Sequence, residues 1–189
     1  MSTTFQLHLR RAAADAVARF PAMSVPEIYV VSFHVRRLGR DPRRPCLTIG
    51  WNTESKYRAE LARRGPEEAR WNHAHWLQDG FERFGNTPDD PVGGALFVDE
   101  AKRLGHWYED GEDITDDEKD DCAEELCGQF ATVCVDVARH LHTSGLLAGV
   151  MGRPVPVALF DPDLPGWDIE ATRAANPPAL AAPYLDSAP

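Results

Sequence analysis

With 189 residues, a mass of 21.0 kDa, 43% hydrophobic and 26% charged residues, the chain has the length of one domain and enough apolar material for a core. This composition excludes wholesale disorder, a fibrous repeat and a small disulfide scaffold, and no apolar run approaches the roughly 20 residues of a membrane-spanning helix. The formal charge is −10, and all of it falls between Glu109 and Glu125, where eleven acids face Lys119 alone.

In chain order, Phe5, Leu9, Ala12, Ala13, Ala16, Val17 and Phe20 recur at helical spacing after a Thr3/Gln6 capping pair, and Pro21 ends that helix. Glu27–Val35 is rich in β-branched and aromatic residues and apolar on both faces, which predicts an interior strand. Arg36, Arg37, Arg40, Arg43 and Arg44 surround Asp41 in a stretch carrying Gly39, Pro42 and Pro45, read as a long solvated connection. Cys46–Trp51 is then an antiparallel partner strand. Asn52 or Thr53 caps a helix over Glu54–Arg64, which Gly65-Pro66 closes. Between 67 and 108, Trp71, Trp76, Leu77, Phe81 and Phe84 predict a partly helical aromatic cover, 85–94 a loop, and 95–104 a short helix.

The clearest element runs from Thr115 to His142. Thr115 with Glu118 matches a capping box, acids fill the first turns where the helix dipole favours them, and Cys122, Leu126, Phe130, Val133, Cys134, Val137 and Leu141 form a buried stripe. Pro154–Phe160 reads as a strand at an edge or just entering the sheet, given its prolines. Asp168–Ala175 is a short helix stopped by Asn176-Pro-Pro178, and the tail 181–189 is expected to fray. The predicted fold is α+β: one domain over 1–180, with a small antiparallel or mixed sheet (hairpin 27–51 plus strand 154–160) covered by helices, including a long helix 115–142.

Few motifs carry chemistry. Phosphate-binding glycine loops and a G-x-S-x-G elbow are absent, and Ser32, Ser55 and Ser144 lack a catalytic context. Cys46 with His34 across the hairpin is a weak nucleophile pair. Cys46, Cys122, Cys127 and Cys134 form no C-x-x-C pair, and the N-terminus has no basic region followed by an apolar run. Reduced thiols and a cytoplasmic location are therefore expected. His73, His75, Asp79 and His106 are the candidate ligands for a metal-dependent hydrolase, the opposing reading being histidines packed beside Trp71 and Trp76. Asp161-Pro-Asp163 follows a strand and reads as a turn. The arginine cluster would suit phosphate, yet the basic residues are not interleaved with aromatics and the overall charge repels nucleic acid.

The strand 28–35, the strand 46–51 running into Asn52-Thr-Glu54, Arg70-Trp71, Trp76, the late strand ending in Asp161 and the closing Ala175-Asn-Pro177 resemble an uncharacterised bacterial family associated with polymorphic-toxin immunity loci. The resemblance spans residues 5–178 and implies a small cytoplasmic α+β protein without assigned catalytic residues. The leading expectation is a non-enzymatic binding protein, an immunity protein that neutralises a basic toxin or effector through Asp113, Asp116, Asp117, Asp120 and Asp121. No cofactor, nucleic acid or membrane is expected. The alternatives are the hydrolase above and a structural or dimerising module built on the tryptophan-rich cover.

Overall fold

The computed structural model describes residues 2–76 and 78–187, with the side chains of Gln78 and Asp79 excepted. These residues form an α+β fold around a four-stranded mixed sheet of order β3-β2-β1-β4. Helix α1 (Thr4–Ala18) begins at Thr3, whose side chain accepts a hydrogen bond from the Gln6 amide at 3.2 Å, and it buries Phe5, Leu9, Ala13, Ala16 and Val17. Strand β1 (Ile28–Arg37) is buried over its first eight residues and pairs antiparallel with β2 (Pro45–Thr53). Its other edge runs parallel to β4 (Val157–Phe160). As the apolar pattern on both faces requires, β1 lies inside the sheet.

One face of the sheet carries Val31, Phe33, Leu47, Ile49, Val157 and Leu159. They meet Leu9 and Val17 of α1, Phe97 of α4 (Pro91–Leu104), Phe130, Val137 and Leu141 of α5 (Asp116–Thr143), and Leu147 of α6 (Leu146–Met151). The other face carries Val30, Ala158 and Phe160. It is covered by a smaller aromatic cluster of Tyr57 from α2 (Glu54–Leu61), Trp71 from α3 (Pro66–Trp71), Trp76, and Tyr184 from α8 (Pro178–Leu185).

Helix α5 forms the expected capping box, with Thr115 Oγ1 accepting from the Glu118 amide and Glu118 accepting from the Thr115 amide at 2.8 Å. Of its cysteines, Cys134 is buried, whereas Cys122 and Cys127 are only half-buried. No helix among the described residues is long and apolar enough to cross a membrane.

Four local expectations are corrected. The segment read as a partly helical cover contains strand β3 (Gln78–Gly85), antiparallel to β2. The register slips between Ile49, which faces Glu82, and Trp51, which faces Gln78. That irregularity brings Phe81 and Phe84 to the same core although they are three residues apart, and a spacing of three imitates a helix. Helix α4 starts earlier than 95, because Asp90 accepts from the Gly93 amide at 2.9 Å and Pro91 takes the first helical position. Strand β1 runs into the arginine-rich stretch, so the solvated connection shrinks to 38–44 and Arg37 becomes an interior residue. The expected tail is helical through Leu185, because Ala181 is buried and Tyr184 packs on the sheet's aromatic face.

The outer edge of β4 has no neighbouring strand among the described residues; α7 (Trp167–Ala175) satisfies it instead. The Asn176 carboxamide accepts from the Val157 amide at 2.8 Å and donates to the Val157 carbonyl at 2.7 Å, while Thr172 Oγ1 accepts from the Leu159 amide at 3.0 Å. Two side chains thus imitate the missing ladder and close an edge that would otherwise be open to pairing.

Candidate functional site

At the C-terminal ends of the parallel strands β1 and β4 the chain builds a charged cluster and, beside it, a cavity. Arg37 leaves the end of β1 with 7% of its side chain exposed and pairs through Nη1 with Asp161 Oδ1, whose side chain is fully buried. The same nitrogen reaches Asp163 Oδ2 at 3.2 Å, and Arg37 Nε donates to Cys127 Sγ of α5 at 3.2 Å. Burial opposes the Arg37 charge, but the hydrogen bonds to Asp161 and Cys127 outweigh it and hold the guanidinium above its ordinary range. Asp161 Oδ1 also accepts from the Asp163 amide at 3.0 Å, which makes the Asp161-Pro-Asp163 turn. Its second oxygen, Oδ2, is buried with no hydrogen-bond partner among the described residues. The turn expected here is therefore also the buried end of an ion pair.

Next to this cluster is a cavity of about 470 Å³ between α3, the end of β4, the start of α7 and α8. Its aromatic wall is Trp71, His73, Phe160 and Tyr184, and its acidic groups are Glu67, Glu68, Asp161 and Asp168. The rings meet mostly edge to face: Trp71 and Tyr184 are 5.6 Å apart at 82°, and Phe160 and Tyr184 are 6.2 Å apart at 78°. His73 lies closer to parallel on Phe160, 4.4 Å between centroids. Tyr184 donates its hydroxyl proton to Asp168 at 2.7 Å, and burial, with that carboxylate, pushes the phenol well above its ordinary pKa.

Helix α3 is held in place by its own last turn. The Arg70 carbonyl accepts from the Tyr29 hydroxyl and from Trp76 Nε1 at 3.0 Å, and Asn52 donates to the Tyr29 oxygen at 2.8 Å. The Arg70 guanidinium lies over Tyr29 and Tyr57, 4.2 and 4.8 Å from the ring centroids, and pairs with Glu54 at 2.8 Å. The residues Asn52-Thr-Glu54, Arg70-Trp71 and Trp76 thus converge on one seam that positions Trp71.

The acids singled out in the sequence occupy a different surface. Asp113, Asp116, Asp117, Asp120 and Asp121 are all exposed, on the approach to α5 and on its first two turns. Lys119 pairs with Asp116 at 3.2 Å, Arg43 with Asp110 at 2.7 Å and Lys102 with Glu109 at 2.8 Å, leaving most of the segment without a cation partner among the described residues. Asp120 precedes Cys127 by two turns, about 10 Å along the axis at 1.5 Å per residue. The acidic face and the cavity therefore flank the same end of the sheet.

The candidate metal ligands are spread differently. His73 and His75 share one 3-10 turn, with His73 against Phe160 and His75 at 3.4 Å from Glu68, while His106 follows α4. The Asp79 side chain lies outside the described residues. No three His, Cys, Asp or Glu among the described residues are grouped to hold a metal ion. In the hairpin, register sets Cys46 across from Arg36 and His34 across from Thr48, and burial pushes the Cys46 thiol upward, away from the nucleophilic form. Trp76 is buried and Trp71 half-buried against the sheet, so the tryptophan cover packs inward.

Sequence reasoning missed Glu67, Glu68, Asp168 and Tyr184 as neighbours. The one available signal was Asp161 at the end of a parallel strand, a position where open sheets hold ligands. Comparison with protein-family models, with curated proteins and with solved structures returned no match.

Proposed function

We propose that this chain is a non-enzymatic binding protein for a basic protein partner, an immunity protein that neutralises a toxin or effector in the cytoplasm. The observation that carries this reading is the acidic face: Asp113, Asp116, Asp117, Asp120 and Asp121 are exposed together, and Lys119 is the one base within Glu109–Glu125. Four of them also lie in the first turns of α5, where they complement the helix dipole, but that role needs only Asp116, Asp117 and Glu118 of the first turn. Asp113, Asp120 and Asp121 are surplus to it. A one-signed patch raises the encounter rate with an opposite surface and excludes nucleic acid, in a manner weakened by salt.

The test is a pull-down from the native host with the wild-type chain and with a variant in which the five aspartates become lysine. The captured partner is then purified and titrated at low and moderate salt. A basic partner whose affinity drops with salt and is lost in the variant supports the reading. An affinity that the five substitutions leave unchanged overturns it.

A further inference from the structure

We propose that the cavity between α3, the end of β4 and α8 is a binding site for an organic cation that carries N–H donors, an alkylammonium or alkylguanidinium group. The proposal stands on this cavity alone and does not depend on the acidic face of α5.

Three features of the cavity select this chemistry. First, its charged lining is all acidic: Glu67, Glu68, Asp161 and Asp168, with no lysine or arginine among the lining residues. Two of these are already countered, Asp161 by Arg37 and Glu68 by Arg64 at 2.9 Å. Glu67 and Asp168 have no lysine or arginine partner among the described residues, so the site retains negative charge and disfavours phosphate and carboxylate ligands. Second, Trp71, Phe160 and Tyr184 line the same space, and the π-face of such a ring attracts cations. The surrounding cluster already holds one guanidinium in this way, that of Arg70 over Tyr29 and Tyr57. Third, the carboxylates of Glu67 and Asp168, which line the cavity, are hydrogen-bond acceptors. A charge-assisted hydrogen bond to a carboxylate is stronger than a neutral one and needs a donor proton on the cation. This separates N–H cations from quaternary ammonium, which has the charge but nothing to donate. A cavity of about 470 Å³ falls in the size class of small-ligand sites.

The test titrates the purified full chain with butylguanidinium, butylammonium, tetramethylammonium and butyrate, followed by tryptophan fluorescence and by ring-proton chemical shifts. Saturable one-to-one binding of an N–H cation is expected in the millimolar range for ligands of so few atoms. Tetramethylammonium should bind at least about fivefold more weakly and butyrate not at all. Trp71→Leu and Asp168→Asn should each weaken the cation about fivefold or more. The five-aspartate variant of α5 should leave the affinity unchanged.

No saturable binding, equal binding of tetramethylammonium, or equal binding of butyrate overturns the proposal. If Trp71→Leu does not fold, shift mapping on the wild type decides: perturbation of the Trp71, His73 and Tyr184 rings supports the site, and perturbation confined elsewhere overturns it. An end-blocked peptide with a single arginine identifies the source of the cation. Displacement of butylguanidinium by the peptide points to a partner's side chain, and failure to displace it points to a free amine or guanidine. Because every arm uses purified protein and small probes, its failure is distinct from failure of the basic-partner reading.

Discussion

Asn176→Leu tests whether α7 closes the edge of β4. Leucine has the same branched shape as asparagine, so the change removes hydrogen bonds with little change in packing. Four are lost, three of them to the backbone: from the Val157 amide at 2.8 Å, to the Val157 carbonyl at 2.7 Å and to the Thr172 carbonyl at 2.7 Å. The site is 7% exposed, so water cannot readily replace them. An unpaired buried polar group costs about 1–3 kcal/mol, and the two on β4 together cost about 2–6 kcal/mol. Against a typical total stability of about 5–15 kcal/mol this is a large fraction. His142, which meets Asn176 Oδ1 at 2.9 Å, loses its partner as well.

Urea unfolding is the assay. With a slope of about 1–3 kcal/mol per molar, a loss near 3 kcal/mol moves the midpoint down by about 1–3 M. Thr172→Val, equally close in shape, orphans only the Leu159 amide and should lose about 1–2 kcal/mol. Amide exchange at Val157 and Leu159 should accelerate in the corresponding variants. An Asn176→Leu chain within about 0.5 kcal/mol of wild type, at unchanged slope, would refute the reasoning, since that is the scatter of neutral surface changes.

Removing the cation from the buried pair by Arg37→Met should destabilise by about 3–5 kcal/mol because Asp161 is left charged in the interior, and adding Asp161→Asn should recover most of the loss; denaturant curves of the single and double variants check this. Gly85 has φ +109, and a Cβ there would sit 2.9 Å from both the Phe130 ring and the Pro45 carbonyl oxygen. Gly85→Ala should therefore cost about 2–3 kcal/mol, read as a drop in Tm. Burial holds the His142 pKa below its ordinary value of 6.5, although its hydrogen bond to Asn176 pulls the other way. The unfolded chain then binds the proton more readily than the folded one, so stability is unaffected well above pH 6.5 and falls as the pH drops from there toward the folded pKa. His142→Gln should flatten that part of the stability–pH profile measured by chemical denaturation.

Much of the fold was legible because its elements carry local signals. The Thr115/Glu118 box and the Leu126, Phe130, Cys134, Val137, Leu141 stripe define α5, and they do so without reference to any other segment. The two apolar faces of β1 likewise announced an interior strand. Strand β3 was illegible for the opposite reason. Its identity depends on pairing with β2, and the register slip spaces Phe81 and Phe84 as a helix would. Tyr184 looked like part of a fraying tail because its burial is supplied by Trp71 and Phe160, residues more than twenty positions away. Of the cavity, only Asp161 carried a hint, since nothing local marks Glu67 or Asp168 as its neighbours.

By itself, then, the sequence determined α1, α2, α5 and α7, the central hairpin, the late strand and the concentration of charge in one segment. Each of these follows from periodicity, caps and composition within a short window. Tertiary structure alone decided that Arg37 is an interior partner of Asp161, that Asn176 and Thr172 stand in for a missing strand, and that carboxylates and rings from α3, the end of β4, α7 and α8 line one space. Those outcomes rest on contacts between segments as far as 124 residues apart, whose energies no local pattern encodes.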